Sequence, residues 1–152
     1  MEIGATKAVQ DRLKTTKIEK SKCASLVFCW DTHLTKIKGR NVLFIVNASN
    51  RYTIAMTDIE PRNWNYYTMY ISRVIHVVMQ EMGYSEDQIR KYFKMSGDTT
   101  VTKTHGRKSV GGINRMVMDA QYFGKKLEKE AKYQWELSEY LNRDICQPEE
   151  FD

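Results

Sequence analysis

Hydrophobic periodicity divides this chain into distinct elements. From Ser25 the positions alternate: Leu26, Phe28, Trp30 and Leu34 fall on one face of a predicted strand, and Cys29, Asp31 and His33 on the other. After turn-forming residues at Lys38 to Asn41, Val42 to Val46 is an unbroken apolar run of strand length, as expected where both faces of a sheet are covered. Asn47 to Asn50 supplies side chains that close tight turns through local backbone hydrogen bonds, and alternation resumes with Tyr52, Ile54 and Met56. These runs predict a three-stranded antiparallel meander.

The period then changes. Pro61 precedes a helix predicted over Trp64 to Met82, whose core face carries Ile71, Val74, Ile75, Val78 and Met82 and which Gly83 ends. Ser85-Glu86-Asp87-Gln88 is a capping-box signature for a second helix through Ile89, Tyr92 and Phe93, stopping at Gly97. Glu2 to Ala5 reads as a short edge strand, with Thr6 capping a brief helix through Leu13, and Thr15 to Lys22 as a lysine-rich solvated connector. The β-branched stretch Thr99 to Thr104 predicts another short strand. From about Gly112 a long helix is expected to bury Ile113, Met116, Val117, Ala120, Phe123 and Leu127, and to continue through Trp135, Leu137 and Leu141. The expectation is an α+β fold: an antiparallel sheet of about four or five strands packed by three helices, the C-terminal one long. One domain would span residues 1–143, followed by an acidic C-terminal tail at 144–152.

A chain of 152 residues is long enough to bury about 70% of its unfolded surface, so it needs no staples. The odd set Cys23, Cys29 and Cys146 contains no CxxC pair, which fits a reducing compartment and a cytoplasmic protein. No segment has the apolar core of a signal peptide or the ~20 apolar residues of a membrane span, so no membrane partner is expected.

Charge adds the main functional lead. The window Thr99 to Met118 holds Lys103, Arg107, Lys108 and Arg115 and no acid, whereas the remaining residues balance at 20 basic against 19 acidic, so the net +5 is almost entirely local. A basic loop leading through Gly111 and Gly112 into a helix mouth is a sensible anion site, because N-terminal amides and cations point at one spot. The candidate binding residues are Lys103, Thr104, His105, Arg107, Lys108, Ser109, Asn114 and Arg115. The segment GRKSVGG lacks the spacing of a phosphate-binding nucleotide loop, so ATP chemistry gains no support and no cofactor is expected.

Other constellations point less far. Cys29, Asp31 and His33 alternate onto one strand face at ~6.6 Å intervals, which favours a polar sheet face over a metal site. Trp64, Tyr66, Tyr67 and Tyr70 beside Arg62 and Arg73 read as core and rim residues at helical spacing, and His76 lies off the apolar stripe of its helix. His105 offers a general acid beside Lys103 and Arg107, but the sequence presents no second acid–base partner.

The order of motifs adds a family resemblance. Phe28, Trp30 and Leu34, then Val46-Asn47 closing VLFIVN, then Arg51-Tyr52, and finally Thr102-Lys103-Thr104 with Arg107, Ser109 and Asn114 span about Glu2 to Phe123. This pattern resembles a small bacterial family known as a domain of unknown function. The resemblance implies an α+β fold and a bacterial or mobile-element origin, and carries no established activity. Gly111-Gly112 and the charged C-terminal stretch depart from the pattern.

The resulting expectation is a non-catalytic binding or inhibitory protein, of the kind a phage or mobile element encodes against a host nucleoprotein machine. Its partner would be a protein, nucleoprotein or nucleic acid met by the basic loop, with homodimerisation left open. The alternative is a metal-independent RNA-processing enzyme using His105.

Overall fold

A computed structural model describes residues 1–13, 17–22 and 25–143 of the chain. The acidic tail, Cys23, Cys146 and the start of the lysine-rich connector lie outside the described residues. Five strands, β1 (Glu2–Ala5), β2 (Cys29–Ile37), β3 (Arg40–Asn47), β4 (Thr53–Thr57) and β5 (Thr100–Thr102), form one sheet in the order β4-β3-β2-β1-β5. The described helices are α1 (Lys7–Gln10), α2 (Pro61–Asn65), α3 (Tyr67–Glu81), α4 (Glu86–Ser96), α5 (Gly106–Gln121) and α6 (Trp135–Leu141). None is long and apolar enough to cross a membrane.

The predicted meander is present, with β3 antiparallel to both β2 and β4. Its apolar run is buried on both faces, as its continuous pattern requires. Leu43 and Ile45 join Ile3, Trp30 and Ile54 in a core under Ile71, Ile75 and Val78 of α3 and Ile89 of α4. Val42, Phe44 and Val46 join Ile37 and Ala55 in a second core under Ile113, Met116 and Ala120 of α5 and Leu137 and Leu141 of α6. Full burial of each such side chain stabilises by about 1.5–3 kcal/mol. The indole nitrogen of Trp30 donates to Tyr92 Oη at 2.9 Å, and that hydroxyl donates to the Val27 carbonyl at 2.7 Å, fastening β2 to α4.

The sheet is mixed rather than antiparallel throughout. β1 lies inside it, not at its edge, running parallel to both β2 and β5. The segment between Ala5 and Cys29 exceeds the dozen or so residues a parallel crossover needs, and four residues of strand carry no mark of which partner they will choose. Residues 17–22 are not a free solvated connector either: the Glu19 amide donates to the Val101 carbonyl at 2.9 Å, and Glu19 bridges Thr102 on the outer side of β5.

Both ends of the helix start predicted near residue 112 were misplaced. α5 begins at Gly106, so Gly111 and Gly112 lie within it and not at its mouth, and it ends at Gln121 instead of running on to Leu141. Phe123 and Leu127 are drawn into the second core by a return segment, whose Tyr133 pairs with Met56 on the outer side of β4. The amides of Thr57 and Gln134 donate to the carbonyls of Lys132 (2.7 Å) and Ala55 (2.9 Å). Covering an edge strand in this way satisfies backbone groups that would otherwise recruit another chain. The pin of this segment is Gln134, 1% exposed: its Nε2 lies 3.0 Å from Thr57 Oγ1 and 2.9 Å from the carbonyls of Glu128 and Ala131, and its Oε1 accepts the Glu128 amide at 2.8 Å.

Truncating Gln134 orphans several buried groups at ~1–3 kcal/mol for each one left unsatisfied. Gln134→Ala is therefore expected to lower stability by about 2–3 kcal/mol and to speed amide exchange at Thr57, measured by denaturant melts and hydrogen exchange; unchanged exchange at Thr57 would show that the segment is held elsewhere.

Candidate functional site

The alternation of β2 sends Cys29, Asp31 and His33 to the face covered by α5, which makes Asp31 a fully buried carboxylate rather than part of an open polar face. Its partners come from the segment leaving β5. Asp31 Oδ2 accepts the His105 amide at 3.0 Å and a very short hydrogen bond from the Ser109 hydroxyl, and Oδ1 lies 2.6 Å from His105 Nδ1. His105 Nε2 is 2.7 Å from Glu2 Oε1. Glu2 is held in turn by the Ser21 hydroxyl and the Lys22 amide, each at 2.7 Å. The His105 side chain is 3% exposed.

This cluster dictates a glycine. Gly4 faces Asp31 across the β1–β2 register, and a Cβ built there would lie 1.8 Å from Asp31 Oδ1 and 3.1 Å from the Thr104 backbone. No rotamer of an alanine relieves that overlap, so the close approach of β1 to Asp31 requires Gly4.

Burial opposes charge on His105, but hydrogen bonds and negative charge from Asp31 and Glu2 outweigh it and hold the imidazole pKa above its ordinary value. For Glu2, burial raises the carboxyl pKa, whereas hydrogen bonds from His105, Ser21 and the Lys22 amide bring it below the ordinary value. His33, 2.8 Å from Thr6 Oγ1, has its pKa lowered by burial. The expected Thr6 side-chain cap on α1 does not form, and Thr6 Oγ1 pairs with His33 instead.

The eight candidate binding residues divide by direction. Lys103, Arg107, Lys108, Asn114 and Arg115 are exposed; Thr104 is half-buried, and His105 and Ser109 turn inward to Asp31. The expected pairing of helix-mouth amides with an external anion is replaced by an internal one, since Asp31 occupies the start of α5 and accepts the His105 N–H. Arg107 and Arg115 lie eight residues apart on the outer side of α5, with Lys108 beside them, and none of the three makes an ion pair within the described residues.

Arg115 also belongs to a feature that no sequence pattern signalled. A cleft of 350 Å³ between α5, α6 and the β3–β4 turn is lined by Arg51, Arg115 and Arg143, with Asn50 and Asp119. Arg51 adopts a left-handed backbone (φ +65°), an uncommon conformation for a residue other than glycine, and the buried Nδ2 of Asn50 has no hydrogen-bond partner among the described residues. Arg143 stacks 4.1 Å over the Tyr140 ring, which orients its guanidinium. The aromatic group on the opposite side of the sheet behaves as core: Trp64 and Tyr67 are buried and stacked at 5.5 Å, while Tyr66 is exposed. His76 sits half-exposed, 3.7 Å from Glu86.

Sheet, helical layers and buried acid–histidine cluster define an α+β domain with a mixed five-stranded sheet between two helical layers. The chain belongs to the family described as a domain of unknown function, DUF6933, whose model matches residues 2–152. No curated protein and no solved structure matches the chain.

Two outcomes follow from the cluster. Gly4→Ala is expected to cost about 1–3 kcal/mol or more through overpacking, lowering Tm by about 2–4 °C per kcal/mol in a thermal melt; an unchanged Tm would mean that β1 does not press on Asp31. His105 binds its proton more tightly folded than unfolded, so its contribution is complete below about pH 6.5 and fades as pH rises through the higher native value. Glu2 contributes above about pH 4.3 and loses that contribution as pH falls through its lowered native value. In chelating buffer, the Tm advantage of wild type over His105→Gln should therefore shrink between about pH 6 and pH 9, and a constant difference would contradict the raised native value.

Proposed function

We propose that this chain is a non-catalytic binding protein that engages a phosphate-bearing partner, a nucleic acid or nucleoprotein, through the outer side of α5. The observation that carries this reading is the placing of Arg51 and Arg115 in one cleft, with Arg107 and Lys108 exposed on the same helix as Arg115 and without ion-pair partners among the described residues. Guanidinium groups pair with phosphate oxygens in a bidentate fork, and Arg51 and Arg115 face one acid, Asp119, among the described residues that line the cleft, a balance that favours an anion. The buried Asn50 Nδ2 adds a donor that such an anion satisfies. An inhibitory role against a host nucleoprotein machine, encoded by a phage or mobile element, is one setting for such a binder.

The alternative of RNA cleavage by His105 draws less support. A general acid must reach the leaving oxygen, and both ring nitrogens of His105 are engaged by carboxylates beneath α5, away from Arg107 and Lys108.

Fluorescence anisotropy with labelled single- and double-stranded oligonucleotides across a salt series tests the reading. Wild type should bind with a negative slope of log K against log salt; Arg107→Ala, Lys108→Ala and Arg115→Ala should each reduce that slope by about 0.7–0.9 while leaving the fold intact. Absence of salt-dependent binding by the wild type would overturn it.

A further inference from the structure

Glu2 and Cys29 are register partners on β1 and β2, and His105 meets them from the segment between β5 and α5. One ligand atom from each, a carboxylate oxygen, the Cys29 sulfur and a ring nitrogen of His105, all lie within 4.8 Å of one another. We propose that Glu2, Cys29 and His105 form a binding site for a divalent transition-metal ion of the zinc class, a site separate from the basic face of α5.

The donor set is the first argument. A thiolate selects against magnesium and calcium, and one sulfur, one nitrogen and one oxygen donor suit zinc or cobalt in a tetrahedral site. Bonds of about 2.0–2.3 Å place tetrahedral ligand atoms roughly 3.3–3.8 Å from each other. The 2.7 Å contact between His105 Nε2 and Glu2 Oε1 and the 4.8 Å limit of the cluster bracket that range, so side-chain adjustments of about 1 Å reach it.

The surroundings of the three ligands are the second. Asp31 Oδ1 lies 2.6 Å from His105 Nδ1, which fixes the ring and leaves Nε2 turned toward Glu2, the carboxylate–histidine–metal arrangement that orients a ligating imidazole. Ser21 and the Lys22 amide hold the Glu2 carboxylate in the same way. Glu2 lines a cleft of 250 Å³ with Met1, Lys22 and Thr100, which brings solvent to one of the three ligands, while Cys29 and the His105 side chain are buried; a water at Glu2's side is the fourth ligand that a tetrahedral site needs.

Any proton carried by His105 Nε2 or the Cys29 sulfur passes to solvent when these atoms ligate the ion. A bound ion ties β1, β2 and the residue that leads into α5 together at one point.

The full-length protein, stripped with a chelator, is titrated with cobalt(II) as the probe and back-titrated with zinc. The expected result is one cobalt per chain, a near-ultraviolet thiolate-to-cobalt band with tetrahedral visible bands, loss of both on adding zinc, and a higher Tm with zinc. Cys29→Ser, nearly isosteric, should abolish the near-ultraviolet band, and His105→Gln should weaken binding at least tenfold, whereas Lys108→Ala on the basic face should change neither. Because wild type alone reports the band, the test does not depend on the variants folding. No thiolate band in the wild type, or a band that survives Cys29→Ser, overturns the proposal. Failure of oligonucleotide binding leaves these spectra unaffected, so the two readings stand or fall separately.

Discussion

The buried carboxylate of Asp31 is the constraint on which the rest of this molecule depends. A bare charge in that position costs several kcal/mol, and the chain meets the cost by surrounding it with the His105 amide, the His105 ring and the Ser109 hydroxyl. Those groups come from the start of α5, so the position of that helix over the sheet is set at one atom group. The side chain of Asp31 also needs room, which only Gly4 on β1 leaves. Register of the parallel pair, orientation of α5 and identity of a glycine thus follow from one acid in the middle of a strand. Buried ion clusters add little net stability compared with apolar packing, but removing one member strands the others, which makes them specifiers of geometry.

That anchoring gives α5 two distinct sides. Inward, Ile113, Met116 and Ala120 complete the second core, and Ser109 meets Asp31; outward, Arg107, Lys108 and Arg115 stand without ion-pair partners among the described residues. The β3–β4 turn and α6 then bring Arg51 and Arg143 to Arg115, although the three are distant in sequence. Basic side chains projected from a rigid helix lose less freedom on meeting an anion than the same residues on a loop. The shift of residues 106–111 from expected loop to helix therefore matters for the binding reading as well as for the fold.

The elements carried by strong periodicity were legible in the sequence. The double-sided burial of Val42 to Val46, the core face of α3 and the Ser85 capping box, in which both reciprocal hydrogen bonds form, all follow from local pattern. The site was legible by half. The local charge excess picked out the right segment, but not that Thr104 to Ser109 splits into an outward cationic set and an inward polar one. Reading Gly111-Gly112 as a helix mouth failed because packing of Ile113 and Met116, and the anchoring of His105, outweigh the ~1 kcal/mol cost of a glycine inside a helix. One signal for the cluster was present: Asp31 directly follows the apolar run Leu26 to Trp30, where a charged side chain is out of place.

By itself the sequence determined what depends on neighbours a few residues away: an α+β content, the meander, the central strand, the caps of α4 and the local excess of basic residues between Lys103 and Arg115. Only the tertiary structure decided that β1 lies between β2 and β5, that the C-terminal region folds back over β4, and that Glu2, Asp31 and His105 meet. The physical reason is that period and capping act through contacts within one or two turns. Strand partners, by contrast, and the company of a buried charge are chosen by the free energy of the whole packed chain, to which residues a hundred positions apart contribute equally.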